Sequence, residues 1–194
     1  MTKINVCGCL MIVVALASCS GSNSKKILVM GSGNVQINKN TNTVTLEPGN
    51  THTEQEFDLQ GDKLIATTPA GSSDFNVSET GLYILNLKTD TIVGSYQHTG
   101  TDEASQRITQ EDLRKRIDSL QELVACRNVT KEKRNFCIPP NQLAKLTSNS
   151  NAQVIGPYKK IPRSFEAGKE HEIYKFYTSK EMQEIIEKLK PMVK

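Results

Sequence analysis

Short apolar runs alternate with polar turns along the first half of the chain, between residues 27 and 97. Many of these runs are rich in Val, Ile, Leu and Phe, and several alternate apolar with polar residues, as strands buried on one face do. Strands at such close spacing favour a sandwich or a barrel, and we predict an antiparallel β-sandwich over residues 26–100. The predicted strands lie at residues 27–30, 35–37, 44–46, 57–59, 64–66, 75–77, 82–87 and 92–96.

Two parts of this region have the form of a β-hairpin, in which two strands flank a short turn. Residues 57–66 are centred on Gln60-Gly61-Asp62, and residues 82–96 are centred on Lys88-Thr89-Asp90-Thr91. Polar turn residues between two β-rich runs favour direct antiparallel pairing of those runs. We therefore predict both hairpins.

Helical spacing replaces the alternation twice in the second half of the chain. Apolar residues recur every three or four positions from Leu113 to Val124, behind a capping box formed by Thr109 and Asp112. A second apolar stripe follows the capping box Thr178-Ser179-Lys180-Glu181. The predicted helices span residues 109–126 and 179–190.

A change in charge accompanies this change in pattern. Residues 25–100 carry five basic and eight acidic side chains, whereas residues 101–194 carry 18 basic and 13 acidic ones. The polar stretch from His98 to Arg107 lies between the two regions. We predict an α+β protein of two parts, in which a smaller, helix-containing α+β part over residues 101–194 follows the sandwich.

The N-terminus has the pattern of a secretory signal. Lys3 precedes the apolar run Val6–Ala17, which is too short to span a bilayer. The run ends in Leu16-Ala17-Ser18-Cys19, an aliphatic residue, two small residues and a cysteine. This order resembles the lipobox of bacterial lipoproteins. A plain secreted protein cut near Ala17 is the alternative.

The lipobox resemblance implies a signal peptide over residues 1–18, cleavage between Ser18 and Cys19, and acylation of Cys19. Residues 19–25 then form a flexible tether to the membrane. In that family, aspartate after the cysteine favours the inner membrane, so Ser20 implies a lipid-anchored envelope protein at the outer membrane.

Motifs that carry chemistry are weak in this sequence. Gly31-Ser32-Gly33-Asn34 lacks the third glycine and the following helix of a phosphate loop, so we predict a tight turn there. His171-Glu172 is not followed by the second histidine of a zinc-protease motif. We therefore predict no catalytic, cofactor-binding or metal-binding residues.

Basic residues cluster around the first predicted helix, where acidic residues interleave with them. This mixture indicates a solvated helix face and no nucleic-acid partner, and contact with anionic lipid is the alternative. The basic residues are Arg114, Lys115, Arg116, Arg127, Lys131, Lys133 and Arg134.

Cys126 and Cys137 are the two cysteines that lie beyond the signal and the lipobox. Export to an oxidising compartment permits a disulfide between them. The alternative is that both are small buried apolar side chains, and the spacing of the two cysteines does not decide between these readings.

Taken together, these patterns favour a membrane-tethered envelope lipoprotein that acts as a non-catalytic binding or accessory module. Its expected partners are the membrane, through the N-terminal lipid, and an envelope protein or glycan. An envelope enzyme that acts on glycans and a structural subunit of an envelope complex remain as alternatives.

The tether yields a direct test. We predict that Cys19→Ala abolishes fatty-acid labelling of the protein, because the acceptor thiol is lost. Labelling of the wild-type and variant chains in a host that processes lipoproteins measures this. Labelling that persists in the variant would contradict the lipobox assignment.

Overall fold

The computed structural model describes residues 24–97, 109–156 and 171–193. Over these ranges the chain is mostly β-structure with two α-helices. The predicted signal peptide, Cys19 and the polar stretch 98–107 lie outside the described residues. The strands are β1 Lys25–Asn38, β2 Thr43–Asp58, β3 Lys63–Thr68, β4 Gly71–Asn76, β5 Gly81–Leu87, β6 Ile92–Gln97, β7 Asn135–Ile138, β8 Gln142–Thr147, β9 Gln153–Ile155 and β10 Ile173–Thr178; the helices are α1 Gln110–Val124 and α2 Ser179–Leu189, and a short 3₁₀ helix spans Lys190–Met192.

Both predicted helices are confirmed, together with their capping boxes. The Thr109 side chain accepts a hydrogen bond from the Asp112 N–H, and the Asp112 carboxylate accepts one from the Thr109 N–H. Thr178 and Glu181 make the same reciprocal pair at the start of α2. These bonds satisfy N–H groups that have no partner inside the helix, and they fix where each helix begins.

The ten strands of the described residues form two sheets. The larger sheet has the order β4-β3-β2-β1-β5-β8, and the smaller sheet has the order β7-β6-β10-β9. The pairs β1–β5, β2–β3 and β9–β10 are parallel, and the other pairs are antiparallel. The sheets are therefore mixed, and the prediction of an antiparallel sandwich over residues 26–100 is wrong for the pairs β1–β5 and β2–β3.

Burial on both faces explains the parallel pair at the centre. All seven residues of β5 are buried, and so are residues 27–31 of β1. Strands buried on both faces have near-continuous apolar sequences, and parallel sheets consist largely of such strands. The run Leu82-Tyr83-Ile84-Leu85 has this character, which alternation alone does not reveal.

Neither predicted hairpin forms. β5 pairs with β1 and β8, whereas β6 pairs with β7 and β10, so the turn at residues 88–91 connects the two sheets. β3 follows β2 in sequence but pairs in parallel with the start of β2, where Thr43 lies opposite Ile65. At residues 88–91, β1 and β8 occupy both edges of β5, so β6 cannot pair with it.

A large bulge bends the larger sheet. Ser32 of β1 lies opposite His52 of β2, but the next residue, Gly33, lies opposite Pro48. Residues 49–51 of β2 therefore have no partner on β1. Such bulges increase local twist and bend a strand. The predicted tight turn at 31–34 is instead this bulge, inside one long strand.

The bend curls the larger sheet until the two ends of β2 meet. The Asn42 side chain, just before β2, accepts a hydrogen bond from the Gln60 N–H at 3.3 Å, and its amide group donates to the Gln60 carbonyl. The sheet thereby encloses an apolar core of its own. The buried members of this core are Ile27, Val29, Val35, Val44, Leu46, Phe57, Leu59, Leu64, Ala66, Val77, Tyr83, Leu85 and Leu87.

Two further cores complete the layers. The opposite face of β1 and β5, through residues such as Leu28 and Ile84, packs against Tyr174 and Phe176 of the smaller sheet. The far face of the smaller sheet packs against α1 and α2, through Val93 of β6. The order of layers is thus curled sheet, smaller sheet, helix pair.

Both sheets contain strands from each side of the predicted boundary at residues 98–107. β8 adds to the larger sheet beside β5, and β10 and β7 flank β6 in the smaller sheet. Backbone hydrogen bonds therefore join the two predicted parts. The division into two domains remains a prediction.

Cys126 and Cys137 are joined in a disulfide, with their Cα atoms 5.5 Å apart. Cys126 follows the end of α1 and has a left-handed φ of 53°, whereas Cys137 lies in β7. The bond ties the C-terminal end of α1 to an edge strand of the smaller sheet.

This geometry predicts a stabilising disulfide in the exported protein. Mass spectrometry of the non-reduced, alkylated chain is expected to find neither thiol alkylated. Replacing both cysteines by serine is expected to lower the free energy of unfolding by about 3 kcal/mol, since the bond closes a short loop. Two alkylated thiols in the exported wild-type chain would refute the bond.

Candidate binding cleft

A cleft of about 570 Å³ lies where β1 separates from β5. The last β1–β5 pair is Gly31 with Leu87, and the bulge begins one residue later. Because β1 bends away at this point, a space remains between the bulge and the turns that follow β5 and β7. We call it the cleft; it is lined by Ser32, Leu46, Pro48, Gly49, Asn50, Thr68, Pro69, Ala70, Leu87, Lys88, Thr89, Pro140 and Asn141.

The bulge forms one wall, and a glycine permits it. Gly33 has a φ of +124°, in a region that L side chains rarely adopt. A Cβ atom at Gly33 would lie 2.1 Å from the carbonyl oxygen of Glu47 and 2.5 Å from the nitrogen of Gly49. The two backbones can approach this closely only without a side chain at Gly33, and the approach holds Gly49 and Asn50 beside the cleft.

The side chain of Asn86, which is fully buried, fixes the opposite wall. Its amide nitrogen donates to the carbonyls of Ile138 at 2.9 Å and Asp90 at 3.0 Å, and its side-chain oxygen accepts from the Lys88 N–H at 3.0 Å. Its backbone carbonyl accepts from the Asn141 N–H at 2.7 Å. One residue therefore holds the turn after β5 and the turn after β7 at a fixed separation.

The third wall is the turn between β3 and β4. The Thr68 hydroxyl donates to the Gly71 carbonyl at 3.3 Å, and Gly71 has a φ of +131°. The turn presents Pro69 and Ala70, both exposed, to the cleft. Proline restricts its own backbone, so this wall is already ordered before any ligand arrives.

Lys88 is the one ionisable side chain among the described residues that line the cleft. Burial lowers the pKa of Lys88, and the nearby carboxylates of Glu181, Glu54 and Asp90 partly oppose that effect. Lys88 also borders a second, small cavity, whose lining includes His52 and Glu181. The carboxylates therefore offset only part of the cost of burying its charge.

The pair His52–Glu54 lies on β2 next to this small cavity. His52 Nε2 and Glu54 Oε1 are 2.7 Å apart, and both side chains are largely buried. A Cβ atom at Gly156 would lie 1.9 Å from Glu54 Oε1, so the backbone there approaches the carboxylate closely. The pair packs inside the protein and does not line the cleft.

The cleft combines apolar walls with a few polar groups. The described lining supplies proline surfaces, hydroxyl groups and two asparagine side chains, above two buried leucines. Nucleophilic catalysis needs a nucleophile within hydrogen-bond reach of a base, and the described lining pairs no hydroxyl with a histidine or a carboxylate. Clefts of 300–1,000 Å³ with apolar walls and a few polar groups are typical ligand sites.

The sequence-predicted site residues fall in two groups. Ser18 and Cys19 lie outside the described residues, whereas the structure brings Cys126 and Cys137 together. Sequence analysis missed Asn86, although an asparagine inside the apolar run of residues 82–87 is a signal of a buried polar contact. The cleft itself depends on the bulge, which the sequence pattern did not predict.

Within residues 24–97, 109–156 and 171–193, no group of three or more His, Cys, Asp or Glu side chains is arranged to hold a metal ion. The same part of the chain contains no helix that is long and apolar enough to cross a membrane. Comparison with known proteins found no matching family model, no curated relative and no similar solved structure.

The role of Asn86 can be tested by mutation. We expect Asn86→Ala to lower the free energy of unfolding by about 3 kcal/mol, because the backbone groups of Ile138, Asp90 and Lys88 lose their side-chain partner. NMR is expected to show the largest remaining shifts at Thr89 and Asn141. Asn76→Ala, at an exposed asparagine that ends β4, is the matched control. Equal stability of the two variants would contradict this role.

Proposed function

We propose that the protein is a lipid-anchored envelope module that binds an apolar peptide segment of another envelope protein in the cleft, without catalysis. The observation that carries the proposal is the cleft. Each of its three walls is fixed by contacts within the protein: the close backbone approach at Gly33, the hydrogen bonds of Asn86 and the Thr68–Gly71 turn. Preorganised walls reduce the entropy lost on binding, and this favours a recognition role.

The composition of the lining supports a peptide as the ligand. Three prolines offer apolar surface, while Asn50 and Asn141 offer amide groups that can pair with a peptide backbone. None of the described lining residues has an aromatic ring against which the face of a sugar could stack. A single lysine, whose charged form is disfavoured by burial, gives little attraction for a highly charged ligand.

The predicted tether supports the location. β1 begins at Lys25, six residues after Cys19. Even fully extended, six residues span only about 20 Å. If Cys19 is acylated, the folded body stays close to the membrane surface, where it meets other anchored or membrane-embedded proteins. Six residues also leave the body free to rotate about its anchor.

The cleft is tested by blocking it. Random heptapeptides displayed on phage are selected on the immobilised protein, and the enriched peptides are measured by calorimetry. We expect Ala70→Trp to weaken their binding at least tenfold, since an indole at this exposed rim position fills the cleft. Ser119→Trp, on the exposed face of α1, is the control and should bind as the wild type does.

Peptides that bind Ala70→Trp as tightly as the wild type would place recognition elsewhere. Failure of the selection, together with cleft resonances that shift when neutral oligosaccharides are added, would replace the peptide by a glycan.

A further inference from the structure

A second pocket, of about 310 Å³, is lined by residues that share none with the cleft. Its walls combine three cations, one carboxylate, two hydroxyl groups and an aromatic ring. We call it the basic pocket; it is lined by Glu79, Lys131, Arg134, Phe136, Lys145, Leu146, Thr147 and Ser148. This concentration of cations distinguishes it from the cleft, which has a single lysine among its described lining residues.

Arg134 is held rigidly at this pocket. Its guanidinium lies 3.7 Å from the centre of the Tyr96 ring, a close cation–π contact. Its Nη2 donates to the Tyr174 hydroxyl at 2.8 Å and also to Glu172 Oε1. Within the described chain, both hydrogen bonds that Arg134 donates come from Nη2. The guanidinium group has five N–H donors in all.

A hydrogen-bond network fixes the carboxylate that orients Arg134. The Tyr174 hydroxyl donates to Glu172 Oε1 at 2.7 Å, and the Asn149 amide donates to Glu172 Oε2 at 2.9 Å. Burial raises the pKa of Glu172, but these bonds and the charge of Arg134 outweigh it, so the pKa lies below its usual value. Glu172 therefore stays ionised at neutral pH and positions the guanidinium.

The other two cations are less constrained. Lys145 pairs with Glu79, whose side chain is 73% exposed, and this pair lowers the pKa of Glu79. Exposed ion pairs of this kind contribute little energy, so an incoming anion can take the place of Glu79 beside Lys145. Lys131 is exposed at the rim. The three cations exceed the two nearby carboxylates, Glu79 and Glu172, by one positive charge.

We propose that the basic pocket binds a phosphate group. The free edge of Arg134 supplies a planar pair of donors, Lys131 and Lys145 supply charge, and the exposed Ser148 supplies a hydroxyl donor. Phe136 forms an apolar wall for the part of the ligand that carries the phosphate. The phosphate belongs either to a soluble molecule or to an anionic lipid headgroup, and the chemistry of recognition is the same for both.

Two variants that change the charge at the pocket rim in opposite directions test this site. NMR titration with inorganic phosphate is carried out on the Cys19→Ala chain and on variants made in that background. We expect Lys131→Gln to weaken binding about threefold to fivefold, and Glu79→Gln to strengthen it by a similar factor, because an exposed charge contributes up to about 1 kcal/mol. Arg134→Lys is expected to weaken binding about tenfold, since lysine cannot offer two parallel donors.

Matched controls separate the pocket from net charge. Lys188→Gln and Glu184→Gln make the same charge changes on the exposed face of α2. Both should leave the affinity within a factor of two of the parent. Lys131 and Glu79 are surface residues, so these two variants keep the test valid even if Arg134→Lys impairs folding.

The source of the phosphate is resolved with vesicles of phosphatidylcholine, made with and without phosphatidylglycerol. All chains share one N-terminus, so any binding through it cancels between variants. A preference for phosphatidylglycerol that Lys131→Gln reduces and Glu79→Gln increases identifies a lipid headgroup. Phosphate binding without such a preference identifies a soluble ligand. Absence of binding to either probe, or equal effects of the pocket and control variants, would overturn the proposal.

Discussion

The fold depends on burying the β1–β5 pair on both faces. One face belongs to the core of the curled sheet, through residues such as Ile27 and Leu85, and the other belongs to the core between the sheets, through Leu28 and Ile84. Complete burial of an aliphatic side chain contributes about 1.5–3 kcal/mol, and this pair places one on each side at successive positions. Most other elements pack on one side of this pair or the other.

Where this pairing ends, the structure opens. Beyond Gly31 and Leu87 the two strands no longer pair; the register of β1 against β2 shifts at Gly33, and β5 runs into the turn that leads to the smaller sheet. The cleft is the space that opens between β1 and β5 where the two strands diverge. Asn86 stands at the end of β5 with its amide buried, and it holds that turn in place. The candidate ligand site is thus a consequence of the central strand pair.

The sequence predicts local structure better than it predicts pairing. Capping boxes at Thr109 and Thr178 and the apolar stripes behind them depend on contacts within a few residues, so the pattern alone places both helices. Pairing depends on competition between distant segments. The turn at residues 88–91 has the composition of a hairpin, but β8 and β10 supply better partners for the strands on either side.

The cleft and the basic pocket show the same contrast between local structure and long-range contacts. The sequence identified the basic residues around Arg134 as a cluster, but it could not show that Glu172 and Tyr174, about 40 residues further on, orient the guanidinium. The cleft combines residues from four separate segments, the bulge, the β3–β4 turn and the ends of β5 and β7. No short window of sequence contains them together.

Native-state amide hydrogen exchange tests the central claim most directly. If the β1–β5 pair joins both sheets into one unit, amides of residues 27–31, 82–87 and 173–176 should exchange only through global unfolding. Their exchange free energies should then equal the free energy of unfolding measured with denaturant. Exchange of the β6–β10 amides at a clearly lower free energy, with β1 and β5 still protected, would show two independent units and contradict this account.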